Sequence, residues 1–108
     1  MEEIDIFKCL DFIRDHAEEY AIAKANRIYM EGFLKVIKAK IMAEDKSQPV
    51  NAQERNAYSH PSYEAHLLAI KEAVEIEEEL RWKLIAAQAK IEVWRSLSAN
   101  QRAEAKVL

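Results

Sequence analysis

The sequence predicts an all-α fold: a long antiparallel helical hairpin with a short helix at its tip, completed into a helical bundle by oligomerisation. Three observations carry that expectation. Residues 62–105 run without a glycine or proline, and their large apolar side chains recur every three or four positions. The chain of 108 residues holds one glycine and two prolines, too few for the tight turns of a hairpin-rich β fold. The charges of the two halves are complementary when one is folded back on the other.

Composition sets the frame. A chain of 108 residues is expected to form one domain, residues 1–108, organised as an arm (3–44), a tip (45–61) and a second arm (62–105). Half of its residues are hydrophobic and 32% are charged, the balance of an ordered, soluble chain rather than a disordered one. A net charge of −3 gives no general attraction to nucleic acid or to an anionic membrane. No apolar run approaches the roughly 20 residues that span a bilayer. The acidic opening MEEIDIFKCLDFIRD lacks the positive charge of a signal peptide, and Cys9 stands alone, so no internal disulfide is expected. The expected location is the cytoplasm.

In the first arm, Glu2, Glu3 and Asp5 suit the positive end of a helix dipole. A stripe then runs through Phe7, Leu10, Ile13 or Arg14, Ala17 and Ala21, and on through Ala25, Ile28, Tyr29, Phe33, Val36, Ile37 and Ile41. Gly32 lies inside this pattern at a cost of about 1 kcal/mol relative to alanine. Close packing of another backbone is one reading of it; a hinge is the other.

The tip is punctuated by Pro49 and Pro61. Asn51 and Glu54 have capping-box spacing, so a short helix is expected over 52–58. Ser59 reads as the N-cap of the second long helix, with Pro61 in its first turn. Tyr58 and Tyr63 are placed to cover the end of the core. In the second arm the stripe is Tyr63, Leu67, Ile70, Val74, then Leu80 or Arg81, Leu84, Ala87, Ile91 and Trp94.

Folding the arms back makes neighbours of residues whose numbers sum to roughly 106. The acidic first 20 residues then meet the basic segment 81–106, while Lys24, Arg27, Lys35 and Lys38 lie near Glu72, Glu75, Glu77, Glu78 and Glu79. Each exposed pair is worth less than about 1 kcal/mol, but the pattern as a whole favours antiparallel pairing. Each arm also carries surplus apolar residues: Ile4, Phe12, Met30 and Leu34 in the first, Trp82, Ile85, Ala86, Ala89 and Val93 in the second. Two stripes per helix call for two partners. Trp82, Ile85, Ala89 and Val93 are therefore the expected oligomer interface, most simply of a homodimer closing a four-helix bundle.

The residues that carry chemistry do not assemble into a catalytic pattern. A lone glycine makes no phosphate loop. His16, His60 and His66 share no i, i+4 spacing, and no Glu-x-x-His motif is present. The acidic run at 75–79 reads as a solvated face more readily than as a metal site. No catalytic residue, no metal and no cofactor are expected, and the chain is read as a non-enzyme.

The phrases AKANRIYMEGFLK, AYSHPSYEAHL and LRWKLIAAQAKIEVWRS together resemble small uncharacterised helical proteins of tailed bacteriophages, often encoded among early replication and recombination genes. The resemblance covers roughly residues 15–102 and carries no catalytic motif. It implies a phage or prophage origin and an accessory role in DNA recombination or replication, with partners among phage or host DNA-metabolism proteins. Two alternatives stand beside that reading. One is direct nucleic-acid binding through Lys24, Arg27, Lys35 and Lys38, or through Lys83, Lys90, Arg95 and Arg102. The other is inhibition of a host protein.

Overall fold

A computed structural model describes residues 3–107; Glu2, expected to serve the first helix dipole, lies outside the described residues. Three helices account for nearly all of it: α1 (Ile6–Glu44), α2 (Val50–Tyr58) and α3 (Pro61–Val107). No strand occurs among the described residues. The fold is all-α.

The helix ends show how the sequence sets the boundaries. Asp5 caps α1, its Oδ1 accepting from the Phe7 and Lys8 amides at 3.1 and 3.2 Å. After α1, Asp45 Oδ1 accepts from the amide and hydroxyl of Ser47 and turns the chain. Helix α2 starts at Val50 rather than at 52, because Pro49 occupies the N-cap and Gln53 reaches back to the Gln48 carbonyl at 2.8 Å. The expected capping box does not form: Asn51 sits within the first turn, and Glu54 is held instead by Lys38 at 2.8 Å. Ser59 closes α2, its hydroxyl donating to the Arg55 and Asn56 carbonyls, so it does not start α3. His60 does that. Its Nδ1 accepts from the Ser62 amide at 3.0 Å, and Pro61 fills the first helical position, where no amide is needed.

The chain divides into two compact units. One comprises the start of α1 with α3 from Glu78 onward; the other runs from Ile22 to Glu77.

In the Ile22–Glu77 unit, α1 and α3 run antiparallel, with Arg27 on Glu77 and Met30 on His66. Two series of less exposed positions mark this seam, Ala23, Arg27, Met30, Leu34, Ile37 and Ile41 on α1 and Tyr63, His66, Ile70, Ala73 and Glu77 on α3, with Phe33, Lys38, Met42 and Ala69 half-buried beside them. Both sets alternate steps of three and four, the period of helices packed side by side. Ala57 of α2 is fully buried. Tyr58 and Tyr63 meet edge to face at 5.4 Å, and Lys38 Nζ donates to the Tyr58 hydroxyl at 2.9 Å. Tyr58 is exposed, so the pair flanks the core more than it covers it.

In the other unit, Cys9, Leu80 and Ala87 are buried, with Phe12, Ile13, His16, Tyr20, Leu84 and Ile91 half-buried beside them. Phe12 and His16 stack at 4.0 Å, and His16 Nδ1 donates to the Phe12 carbonyl at 2.8 Å. Among the described residues, each ion pair between residues of this unit joins two positions of the same helix: Arg14 with Asp11 and Asp15 on α1, and Arg81 with Glu78, Lys83 with Glu79 and Arg95 with Glu92 on α3.

Two expectations are corrected. The inward face of α1 keeps Ile13, Phe33, Ile37 and Ile41 of the expected stripe but is shared with Phe12, Met30 and Leu34, whereas Phe7, Leu10, Ile28, Tyr29 and Val36 are exposed, Phe7 at 74%. In α3, Leu67, Val74 and Trp94 are likewise exposed, and His66, Ala73 and Glu77 take the inner positions. The registers differ as well. Met30 with His66 and Arg27 with Glu77 give sums of 96 and 104, not 106. The last turns of α1 are taken by α2, through Lys38 on Glu54, so α3 joins α1 farther back than a symmetric turn would allow. Of the expected middle charge pairs, Arg27–Glu77 is the one that forms among the described residues.

Candidate functional site

The four expected interface residues lie on α3, in the stretch from residue 82 to residue 93. Trp82 is 59% exposed. Its indole nitrogen donates to Glu78 at 3.1 Å, and the Arg81 guanidinium lies 5.1 Å from the ring centre. These contacts hold the ring on the surface without burying it. Ala89 and Val93 are exposed in the same way. Ile85 differs: it is half-buried and lines a groove of about 370 Å³ with Ile13, Ala17 and Tyr20 of α1 and Leu84 and Gln88 of α3. The four residues therefore do not form one face; Ile85 turns toward α1.

On its other side this unit has a second open groove, of about 450 Å³, with Cys9, Phe12, Ala86 and Ala87 as its apolar lining and Lys8, Lys83 and Lys90 as its basic residues. The Ile22–Glu77 unit has a comparable groove of about 330 Å³, formed by Ala23, Asn26, Tyr29 and Met30 of α1 and by Ala69, Glu72, Ala73 and Ile76 of α3. Small side chains on α3 open both.

The four candidate nucleic-acid contacts divide into two kinds. Arg27 donates to both oxygens of Glu77, at 2.5 and 3.0 Å, and to Glu31 at 3.1 Å. Hydrogen bonds to Glu77, then to Glu31, hold its guanidinium well above the usual arginine range. Lys38 is similarly committed to Glu54 and Tyr58, and those hydrogen bonds raise its ammonium above the usual lysine range. Lys24 and Lys35 are exposed and make no ion pair among the described residues. Of the second basic set, Lys83 and Arg95 are paired along α3, while Lys90 and Arg102 make no ion pair among the described residues.

The remaining titratable groups are placed structurally. His66 donates through Nε2 to the Met30 carbonyl at 2.6 Å, and His60 spends Nδ1 on the Ser62 amide. The acidic run at 75–79 splays around the helix: Glu77 is buried on Arg27, Glu78 holds Arg81 and Trp82, and Glu79 holds Lys83. Among the described residues no three His, Cys, Asp or Glu side chains converge as a metal-binding cluster, and no helix is long and apolar enough to cross a membrane. Sequence reasoning placed Arg27 near Glu77 as one of several exposed charge pairs, but missed that this pair lies within the seam, and missed the His66–Met30 contact. Their signal was the three-and-four spacing of Ala23, Arg27, Met30 and Leu34, visible once polar residues are admitted to the stripe.

No family model, curated protein or solved structure matches the chain.

Proposed function

We propose that the chain is a non-enzymatic interaction protein that works as an oligomer, with two antiparallel helical hairpins closing a four-helix bundle. One observation carries this reading. No large side chain is fully buried among the described residues, yet Phe7, Tyr29, Ile76, Trp82 and Val93 each expose about half of their surface or more. Apolar surface on that scale is a partner surface in a stable protein, and a second copy is the partner always at hand. Burial of such surface is favourable by about 25 cal/mol per Å², before the cost of association. The setting proposed is cytoplasmic, as an accessory factor of phage or prophage origin in DNA recombination or replication. The resemblance of AKANRIYMEGFLK and LRWKLIAAQAKIEVWRS supports that setting.

Direct nucleic-acid binding has less behind it, since Arg27 and Lys38 spend their charge on Glu77 and Glu54. Sedimentation velocity at micromolar concentration tests the main reading, with a dimer or larger species expected. A monomer throughout that range overturns it. Mobility shift at two salt concentrations tests the other: DNA binding that falls steeply with salt would favour it over the first.

A further inference from the structure

We propose that α3 carries a self-complementary stripe, distinct from its inner one, through which it docks antiparallel on α3 of a second copy. The inference rests on the self-association proposed above and assigns its face and register. The inner stripe of α3, through Tyr63, Ile70, Leu80, Leu84 and Ile91, faces α1. A second series with the same alternation of three and four begins at Ala65 and ends at Leu97, and apart from half-buried Ala69 every member is exposed. Because α3 is one continuous helix, Pro61–Val107, these positions share a face. Two open grooves run beside the stripe: Ala69, Glu72 and Ile76 line one, and Lys83, Ala86 and Lys90 line the other.

Laid antiparallel about a twofold axis near residue 81, the stripe matches itself. Ile76 meets Ala86 of the second copy, Val93 meets Ala69, and Leu97 meets Ala65, so each large side chain has a small one opposite. Between these layers Glu72 meets Lys90 and Glu79 meets Lys83. Glu72 and Lys90 make no ion pair among the described residues, while Lys83 holds Glu79 of its own helix at 3.0 Å. Near the axis the docked pair therefore alternates acid and base across four side chains. The register is specific. Sliding by one heptad sets Ile76 against Glu79 in one direction, and Glu72 against Leu97 with Lys83 against Ala86 in the other. A parallel arrangement in register opposes like charges at all four charged positions. Complementary size and charge in a single register point to a second copy as the occupant.

Cysteine pairing tests the register. In a Cys9→Ser background, Ile76→Cys protein mixed with Ala86→Cys protein is oxidised. A disulfide-linked heterodimer is expected, and neither variant alone should cross-link. In this register two copies of residue 76 lie about 15 Å apart along the helices, beyond disulfide reach. Lys90→Glu should raise the dimer Kd at least about tenfold, and adding Glu72→Lys should return it to within about threefold of wild type. Efficient cross-linking of Ile76→Cys to itself, or a wild-type dimer whose mixed variants form no heterodimer, overturns the stripe and leaves oligomerisation standing. A monomeric wild type removes both.

Discussion

Replacing Gly32 with alanine should stabilise the protein. Gly32 lies in the interior of α1, its φ is not positive, and a Cβ built there meets nothing within 4 Å. The close-packing reading of this glycine therefore has no support within the chain. What remains is the propensity cost: glycine in a helix interior is less favourable than alanine by about 0.5–1 kcal/mol, mostly through the freedom of the unfolded chain. A gain of that size moves a urea midpoint by roughly 0.2–1 M, at slopes of about 1–3 kcal/mol/M. It moves Tm by about 2–8 °C. Urea denaturation followed by circular dichroism at 222 nm checks it, with wild type and variant at equal concentration because association would shift both. An unchanged slope with a higher midpoint is the expected result. A lower midpoint would refute the reasoning, and would mean that something outside the chain packs over Gly32 or that α1 must bend there.

Two further outcomes follow from the seam. Arg27→Met should destabilise clearly, because Glu77, 4% exposed, loses the partner that satisfies both its oxygens; Arg27→Met with Glu77→Leu should recover most of that loss, and equal stability of wild type and the single variant in chemical denaturation would count against it. The stability that Lys38 adds should be constant between about pH 6 and 9 and decline only above about 10.5. Glu54 and Tyr58 raise its pKa on folding, so the contribution is complete below the unfolded value of 10.5 and is lost as pH climbs toward the folded one. Denaturation of wild type and Lys38→Met across that range reads it directly; a gap that closes near neutral pH would contradict it.

The helical class and the position of the tip could be read from the sequence because both rest on local signals: an unbroken three-and-four period and two prolines. The inward face of α1 could be read only in part, at Ile13, Phe33, Ile37 and Ile41. His16, Tyr20 and Arg27 occupy seam positions, and each buries a ring or stem while its polar end finds a partner or reaches water. A count of purely apolar residues passes over such positions and settles on Phe7, Leu10 and Ile28, which are exposed. The start of α3 was missed because histidine is not among the common N-caps, while Ser59 is the residue type that usually serves. The Asn51–Glu54 spacing misled because it describes a local exchange, and Lys38, distant in sequence, competes for the same carboxylate. Ile85 was grouped with Trp82 by spacing alone, yet one step around the helix carries it into the groove against Ile13 and Tyr20.

The composition of the seam bears on why association would matter to this chain. Its buried apolar residues are Cys9, Ala23, Ile41, Ala57, Leu80 and Ala87, mostly small, so each contributes little apolar area. The seam spends other positions on Arg27, Glu77 and His66, groups that fix register more than they add stability. A seam so composed pairs its helices in one way but weakly, whereas much of the large apolar surface, Phe7, Tyr29, Ile76 and Trp82 among it, lies outside. Folding and the proposed self-association are then linked. A partner that binds only the folded chain stabilises it by RT ln(1 + [L]/Kd), about 2.7 kcal/mol at a hundredfold excess over Kd. That is a large share of the 5–15 kcal/mol by which native proteins are stable. The polar seam would select the arrangement within each copy, and self-association would add burial at Ile76, Val93 and Leu97 that the seam lacks.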